Sequence, residues 1–394
     1  MLEKAIFAVR VRRASLEAGL KSALTCVSSK VSVPILGCVC LEATNDELTI
    51  RATDLSQDVR ISIPCTLDVP GKIALNARRL YDLVSRLPEG DVRFVVKESH
   101  FTAITIEALE ATMPGMNTDG FPAAFTPCSE WKASFQPGSL AGQIARVFPT
   151  LGTQDDEKSL ALESALMRVT PAGVLMVSTD HYRLARTEHR RATSSPEDFE
   201  ILLPRRLLRT LQSLFPLIGA TPVDIGFTPE AVFFRGGNYI VGARRVTGRF
   251  PYYESIIPSW RDEVEFSSKE LLWAVDRIKG FDDNSIGTIL FGIKGTVMEL
   301  HAQTAGAYES VEQVSIQWTG PDIQFCLKAA NLLSCLQPLR DAELMYFGIP
   351  AEFGKKKNVP VILTAKEVDP YNTMYLLMPS AAVRCAEERT SLAS

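Results

Sequence analysis

Apolar residues recur at three- and four-residue intervals in six segments of the chain, and this pattern predicts six amphipathic helices. Two of them fall in each third of the sequence. The first helix of each third opens with Ser or Pro, residues that favour the start of a helix. The predicted helical windows are residues 15–30, 76–87, 137–148, 204–215, 267–281 and 328–337.

The second helix of each third repeats one sequence pattern. Residues 76–88 and 204–216 both combine a basic beginning, a leucine-rich face and a closing proline, and residues 328–338 repeat the pattern with one lysine and no arginine. The closing prolines Pro88, Pro216 and Pro338 are 128 and 122 residues apart. Proline cannot donate the helical hydrogen bond, so each is expected to end its helix. A period near one third of the chain predicts one module used three times.

Polar and apolar residues alternate between the helices, which is typical of strands with one buried face. Clear cases are residues 47–53, 59–63, 174–179 and 232–234, the last followed by a tight turn at 235–238. The sequence therefore predicts an α+β fold built from three antiparallel modules. The predicted domains are residues 1–129, 130–258 and 259–384, followed by a flexible tail at 385–394.

The composition is that of an ordinary soluble protein, with 394 residues, 46% apolar and 22% charged. No apolar run reaches the roughly 18 residues of a membrane span, and the N-terminus lacks the pattern of a signal peptide. We therefore expect a cytoplasmic protein with no membrane contact. Its eight cysteines are scattered and are interpreted as reduced thiols. Cys38 and Cys40 have no second Cys or His pair at ligand spacing, so no zinc site is expected.

Charge is distributed unevenly along the chain. The six helical windows hold 13 Lys and Arg but only four Asp and Glu, whereas the remaining residues hold 29 and 42, within a net charge of -4. Glu forms helices about as well as Lys and Arg, so helix propensity alone does not explain its scarcity. A basic set of helices in an acidic protein predicts one surface that binds a polyanion.

Catalytic motifs are missing from the sequence. There are four histidines, His100, His181, His189 and His301, of which His181 and His189 share a region but have no Cys or carboxylate at metal-ligand spacing. The phosphate-binding loop, the dinucleotide-binding glycine motif and the hydrolase Gly-x-Ser-x-Gly motif are all absent. We therefore expect a non-catalytic protein without a metal or cofactor.

Five short strings, in order along the threefold repeat, then point to a family. They are Val33–Gly37, Arg86–Gly90, Ser178–Ala185, Gly248–Tyr253 with Ile256–Pro258 close behind, and Tyr375–Pro379. Together they resemble the bacterial DNA polymerase III beta subunits, the sliding clamps, over about residues 5–383.

The resemblance implies a head-to-tail homodimer that closes a ring around duplex DNA, with helices inside and sheets outside. Contacts to phosphates without base readout would let such a ring slide. The residues that correspond to the DNA-facing positions of the family, with Arg209 added from helical spacing, are Lys30, Arg78, Arg79, Arg205, Arg206 and Arg209. The dimer contacts would fall around Ala108–Glu110 and Gly280–Phe281, which match the family poorly.

The resemblance also implies a pocket for short linear peptides of the DNA polymerase III alpha subunit, the clamp loader and repair polymerases, and for clamp-binding small-molecule inhibitors. A pocket of this kind combines apolar walls with a few polar anchors. The corresponding residues are Leu162, Thr179, His181, Tyr182, Arg183, Leu184, Pro251, Ser255, Ile256, Pro360, Leu376, Leu377 and Met378.

Some positions depart from the family pattern. His181 occupies a position that is usually glycine, and Ser255 replaces a basic residue. Ser380 follows Met378–Pro379 where the family continues with Met, and the entry to the last helix, Phe325–Lys328, is altered.

Two function hypotheses remain open beside a low-ranked enzyme. The first is a processivity factor that encircles DNA and tethers the replicative polymerase. The alternative is a clamp-derived paralogue that binds peptides or an inhibitor, such as a resistance copy, and is not the main replicative clamp.

Overall fold

The structure is a computed structural model that describes residues 5–27, 33–153, 160–190, 193–195, 197–280, 287–303, 309–353, 359–365 and 370–380. Within these ranges the chain forms two antiparallel sheets and six α-helices, so the predicted α+β class is confirmed. The helices are α1 (Arg13–Ala23), α2 (Ala77–Val84), α3 (Pro137–Val147), α4 (Arg205–Ile218), α5 (Ser268–Gly280) and α6 (Ala329–Leu336).

The strands occupy most of the remaining described chain. They are β1 (Ala5–Arg12), β2 (Cys38–Thr44), β3 (Glu47–Thr53), β4 (Gln57–Pro64), β5 (Thr66–Val69), β6 (Gly71–Asn76), β7 (Asp91–Lys97), β8 (Phe101–Ile106), β9 (Leu109–Met116), β10 (Ala133–Phe135), β11 (Ser164–Thr170), β12 (Gly173–Thr179), β13 (Arg183–Arg190), β14 (Thr193–Ser194), β15 (Phe199–Pro204), β16 (Val223–Phe227), β17 (Ala231–Gly236), β18 (Tyr239–Arg244), β19 (Trp260–Ser267), β20 (Thr288–Lys294), β21 (Val297–Gln303), β22 (Glu309–Gln317), β23 (Ile323–Lys328), β24 (Leu344–Pro350), β25 (Val361–Thr364) and β26 (Met374–Leu377).

All six predicted helices form, but their ends differ from the prediction. α1 stops at Ala23 and continues only as a 3-10 turn to Cys26. The expectation that a proline ends each second helix is wrong for α4, because Pro216 lies inside the helix. Its fixed φ suits a helix and its missing N–H removes a single bond. The helix instead ends at Gly219, whose φ of 67° lies in the left-handed region that glycine adopts without strain.

The chain folds into two compact units. The first comprises Met1–Ala141, Thr193–Glu197 and Leu203–Val246, and the second comprises Gly142–Ala192, Asp198–Leu202 and Thr247–Ser394. Each unit is built around one continuous sheet. The strand orders are β14-β10-β16-β17-β18-β4-β3-β2-β6-β9-β8-β7-β1-β5 in the first and β15-β11-β12-β13-β26-β25-β24-β19-β22-β21-β20-β23 in the second.

Two strand pairs join distant parts of the sequence within these sheets. In the first unit β4 pairs with β18, with Val59 opposite Val241. In the second unit β13 pairs with β26, with Leu184 opposite Leu376. We call these two strand pairs the β4–β18 seam and the β13–β26 seam. Each seam makes its sheet continuous, and its hydrogen bonds satisfy backbone polar groups that would otherwise be buried and unpaired.

In the first unit, α1 packs against both α2 and α4. The buried faces of α2 and α4 are apolar. Leu80 and Val84 of α2, and Leu207, Leu208 and Leu211 of α4, are at most 1% exposed. Burial of this kind contributes roughly 1.5–3 kcal/mol for each large side chain. The predicted leucine-rich faces therefore orient these helices, although Leu83 of α2 is only partly buried.

A buried carboxylate sits in the β4–β18 seam. Asp58 is 8% exposed, faces Gly242 across the strands, and its Oδ1 has no hydrogen-bond partner among the described residues. A Cβ on Gly242 would lie 2.7 Å from that oxygen, so glycine makes room for it. Burial raises the pKa of Asp58 to about 6, against smaller lowering effects of Arg60 and Arg51.

The raised pKa of Asp58 predicts that the stability of the protein depends on pH. The raised pKa means that folding favours the neutral acid, so the contribution of Asp58 to stability is complete below about pH 4 and is lost as the pH rises through about 6. Asp58→Asn cannot ionise and is expected to raise the free energy of unfolding at pH 7 by about 1–3 kcal/mol. Urea unfolding at pH 4.5 and pH 7 measures the effect. The exposed Asp91→Asn is the matched control, and an Asp58→Asn protein with the wild-type pH dependence would contradict the prediction.

No helix in the described part of the chain is long and apolar enough to cross a membrane. The same residues contain no group of three or more His, Cys, Asp or Glu arranged to hold a metal ion.

Candidate nucleic-acid interface and partner pocket

Five of the six residues predicted to face DNA lie on α2 and α4 of the first unit. Arg78 and Arg79 occupy the first turn of α2 and are exposed. Neither makes an ion pair within the described ranges. Arg205 and Arg206 begin α4, and Arg209 follows one turn later. The sixth residue, Lys30, lies outside the described residues.

One of these arginines is held by a carboxylate. The Nη1 of Arg206 donates to Oδ2 of Asp54 at 3.0 Å, and Asp54 is itself 10% exposed. The other oxygen of Asp54 accepts from the backbone N–H groups of Ser56 and Gln57, each at 2.9 Å, which fixes the turn between β3 and β4. Arg206 therefore has a defined position, and with 56% of its side chain exposed it still presents charge to solvent.

A buried polar contact fixes the position of α4 relative to β4. Thr210 Oγ1 donates to Gln57 Oε1 at 3.3 Å, and Gln57 Nε2 donates to the carbonyl of Thr25 at 3.2 Å. Thr210 and Gln57 are at most 2% exposed. A buried amide that lost these partners would cost roughly 1–3 kcal/mol. This network therefore holds the basic end of α4 beside α1.

The arginines stand at the unfavourable end of their helices. The positive end of a helix dipole is its N-terminus, where a cation costs about 0.3–1 kcal/mol. The first turns of α2 and α4 nevertheless contain no acidic residue. A bound anion would reverse this cost, because it would interact favourably with the positive end of the helix and with the guanidinium groups there. The three helices α1, α2 and α4 contain seven Arg and Lys against two Asp and Glu.

Not every basic side chain of α1, α2 and α4 is free to bind an anion. Arg13 of α1 is engaged by both Glu17 and Glu89. Its side chain is largely buried, so it serves the packing of α1. Lys21, on the last turn of α1, is exposed and was missed by the sequence prediction.

The residues predicted to line the peptide pocket all lie in the second unit, and many of them are buried. Strand pairing places Arg183 opposite Leu377 and Leu184 opposite Leu376, and Pro360 immediately precedes β25, which pairs with the other edge of β26. The least exposed members form part of the core in this structure: Leu162, Thr179, Leu184, Leu376 and Leu377.

The turn before β13 is organised by Asp180. Its Oδ1 accepts from the N–H groups of Tyr182 and Arg183 at 3.0 and 2.8 Å. Its Oδ2 accepts from Nε and Nη2 of Arg183 at 3.0 and 2.6 Å. The Nη1 of Arg183 also donates to Ser334 of α6. The charge of Arg183 is therefore neutralised inside the protein.

His181 adopts the backbone conformation expected of a glycine. Its φ of 72° lies in the left-handed region, which costs a non-glycine residue about 1–2 kcal/mol. The side chain is exposed. Histidine at a position where the family usually has glycine therefore puts a strained residue in the turn that precedes Tyr182.

The exposed members of the predicted pocket fall into two groups. Tyr182 is 57% exposed, and its carbonyl accepts from the N–H of Met378 at 2.9 Å. Pro251, Ser255 and Ile256 belong to a separate segment around a 3-10 turn, Glu254–Ile256. That segment is linked to β11 by an ion pair of 3.8 Å between Glu254 and Arg168. Among the described residues, no hydrogen bond or ring contact joins the two groups.

Sequence reasoning missed two exposed residues of the second unit. Lys328 places its Nζ 4.9 Å from the ring centroid of Tyr182, and Tyr252 is 75% exposed beside the Glu254–Ile256 turn. The altered string Phe325–Lys328 was the available signal for the first. A cavity of about 350 Å³ in the first unit, bordered by Cys40, Arg51 and Lys72 among others, contains none of the predicted residues.

Comparisons with known proteins agree with this architecture. A family model described as DNA polymerase III beta subunit, N-terminal domain, matches residues 7–125, and a second, for the central domain, matches residues 136–252. The beta sliding clamp of Synechocystis is 26% identical and spans 93% of this chain and 97% of its own length.

Solved structures show the same fold. The sliding clamp of Bacillus subtilis superposes with a TM-score of 0.86 at 20% identity, covering 96% of this chain and 100% of the other. A Pseudomonas aeruginosa sliding clamp bound to griselimycin has a TM-score of 0.84 at 20% identity, covering 95% and 99%. The fold is therefore that of the DNA sliding clamps. The chain belongs to the DNA polymerase III beta subunit family.

Proposed function

We propose that the protein is a sliding clamp, a non-catalytic processivity factor that encircles duplex DNA and tethers the replicative polymerase. The main support for the proposal is the charge of α1, α2 and α4. These helices contain seven Arg and Lys against two Asp and Glu, in a chain whose net charge is -4. Attraction to phosphates supplies binding that does not depend on base sequence. A ring that must move along DNA needs this kind of contact, because base-specific contacts would hold it in place.

The ring would be a head-to-tail homodimer of three-module subunits, with modules at residues 1–129, 130–258 and 259–384. Two exposed apolar side chains support a self-association surface. Trp273 of α5 is 62% exposed, and Leu109, in the predicted dimer segment Ala108–Glu110, is 42% exposed. Exposed aromatic residues commonly anchor protein interfaces. Phe281, in the other predicted segment, lies outside the described residues.

Partners would dock through short linear peptides on the second unit, next to Tyr182 and Met378. The DNA polymerase III alpha subunit, the clamp loader and repair polymerases are the expected partners, in the bacterial cytoplasm. A polymerase tethered in this way gains a high effective concentration at the primer end without a tighter grip on DNA.

Retention on closed DNA tests the proposal. Loaded by a bacterial clamp loader with ATP, the protein is expected to stay on nicked circular DNA through gel filtration and to be lost once the circle is cut. This difference is topological, because a ring slides off a free end. A catalytically inactive loader is the control.

The same experiment separates the alternative, a clamp-derived paralogue that binds peptides or an inhibitor. The alternative is not favoured, since the relatives matched over most of the chain are named beta sliding clamps. Peptide binding without retention on circular DNA would reverse that preference.

A further inference from the structure

The cavity of about 350 Å³ in the first unit lies on the face of the sheet that points away from α1. Gly19 of α1 lies against Ile50 and Ile61 of the sheet. Because successive side chains of a strand point to opposite faces, Arg51 points to the other face, where it borders the cavity. None of the residues predicted to bind DNA or peptides borders the cavity. It is therefore separate from both of those surfaces.

The segment between β9 and β10, residues 117–132, covers one side of the cavity, and we call it the strap. Arg51 donates from Nη2 to the carbonyl of Pro122 in the strap at 3.0 Å. Arginines of three strands also lie over aromatic rings of the strap, an arrangement that favours a cation–π contact. The distances to the ring centroids are 5.5 Å for Arg51 and Phe121, 5.7 Å for Arg244 and Phe125, and 4.3 Å for Arg235 and Trp131. The strap is thus fixed at several points, and the cavity is preformed.

Two opposite charges on the floor of the cavity are left unpaired. Glu42 of β2 and Lys72 of β6 lie directly opposite each other in the strand register, and both border the cavity. Opposite charges at such positions commonly attract each other across a sheet. Neither side chain, however, forms an ion pair with any residue in the described ranges. Between the charges, burial raises the pKa of the Cys40 thiol to about 11, so this thiol is neutral at pH 7.

The other two charged groups at the cavity are held by the strap. The contact with Pro122 fixes the guanidinium of Arg51, which likewise makes no ion pair within the described part of the chain. The Oδ2 of Asp119 accepts from Nδ2 of Asn117 at 2.9 Å, so this carboxylate has a neutral partner inside the strap. The cavity therefore combines two cations with one carboxylate, that of Glu42, that has no partner of its own.

We propose that this cavity binds a small zwitterion, a molecule of the size of an amino acid or a dipeptide with a free carboxylate and a free ammonium group. The carboxylate pairs with Arg51 and Lys72, and the ammonium pairs with Glu42. A purely anionic ligand such as phosphate fits less well, because Glu42 and Asp119 repel it. A metal cation fits less well for the opposite reason. The site does not depend on ring formation, so it goes beyond the proposed function.

Three matched dipeptides test the site on the full-length protein. The probes are glycylglycine, N-acetylglycylglycine, which lacks the ammonium, and glycylglycinamide, which lacks the carboxylate. By saturation-transfer NMR at low salt, glycylglycine is expected to bind at least about threefold tighter than either of the others. The preference should shrink at high salt, because the charges are partly exposed and therefore screened. Glycylglycine has no side chain to fill an apolar peptide pocket, so its signal reports on the cavity.

Single substitutions assign each charge. Lys72→Gln is expected to reduce the preference for glycylglycine over glycylglycinamide, and Glu42→Gln should abolish the preference over N-acetylglycylglycine. Lys97→Gln, at an exposed lysine of β7 in the same sheet, is the control and should bind like the wild-type protein. All three variants should melt at the wild-type temperature.

The opposite outcomes are equally distinct. The proposal is overturned if the wild-type protein shows no saturation transfer to glycylglycine, or if it binds the three dipeptides equally. It is also overturned if Lys72→Gln and Glu42→Gln keep the wild-type preferences, or if Lys97→Gln loses them. None of these results would affect the proposed function, since retention on circular DNA is measured without a dipeptide.

Discussion

Replacing the four arginines in the first turns of α2 and α4 with alanine is expected to lower the affinity for duplex DNA by at least about a hundredfold at low salt. The residues are Arg78, Arg79, Arg205 and Arg206. Each phosphate contact that is lost removes one released counterion, so the dependence of binding on salt should flatten as well, by about 0.9 per contact in the slope of log K against log salt. Equilibrium binding to a short duplex with free ends between 50 and 200 mM salt measures both quantities.

A control removes two positive charges elsewhere in the first unit and is matched to the Arg78→Ala, Arg79→Ala double variant. Arg10 and Arg93 lie on strands and share the counterion Asp68. Alanine at both is expected to leave DNA affinity nearly unchanged, whereas Arg78→Ala with Arg79→Ala already lowers it. Equal losses in the two double variants would show that net charge, not the helix face, governs binding. Binding of a peptide by the four-alanine variant should be unaffected, and its loss would indicate misfolding.

Gly142→Ala is expected to lower the free energy of unfolding by about 1–3 kcal/mol. A Cβ at this position of α3 would lie 2.1 Å from the hydroxyl oxygen of Tyr371, far inside van der Waals contact. Tyr371 would have to leave its place, where its ring lies 4.1 Å from the Arg146 guanidinium and 4.9 Å from the His189 ring. Its backbone also holds β13, because the N–H of Glu188 donates to the Tyr371 carbonyl at 2.7 Å.

The same helix supplies the matched control. A Cβ on Gly138 would meet no atom within 4 Å, so Gly138→Ala should be neutral or slightly stabilising, since alanine favours a helix by up to about 1 kcal/mol. Urea unfolding compares the two variants. In a Gly142→Ala, Tyr371→Ala double variant the losses should be far from additive, because one clash accounts for both. Additive losses would refute the proposed clash.

Helix positions could be predicted from the sequence because they depend on local periodicity. The leucine-rich faces around Leu80 and Leu211 repeat every three to four residues, and both are buried as expected. Strands such as β3 and β12 were predicted for the same local reason. The end of α4 was not, since Pro216 is compatible with a last helical turn and Gly219 provides the stop.

In the candidate sites, some features depend on residues that are neighbours in the sequence, and others depend on contacts between distant residues. The arginines at the start of α2 and α4 are adjacent in sequence, and the exposure of Arg78, Arg79 and Arg206 followed from the helix face alone. For the pocket, the family resemblance named Arg183, but its hydrogen bond to Ser334 depends on α6, which is 151 residues away at Ser334. Lys328 was missed because its significance depends on a contact with Tyr182.

By itself, the sequence determined the α+β class, the helix faces and the basic character of the helices, because each depends on the spacing and charge of nearby residues; the division into three modules stays a prediction. Only the tertiary structure decided that β4 pairs with β18 and β13 with β26, that Asp58 is buried in one of these seams, and that Lys328 lies on Tyr182. These features bring together residues far apart in the chain. Their energies come from desolvation and packing that exist only once the sheets have formed.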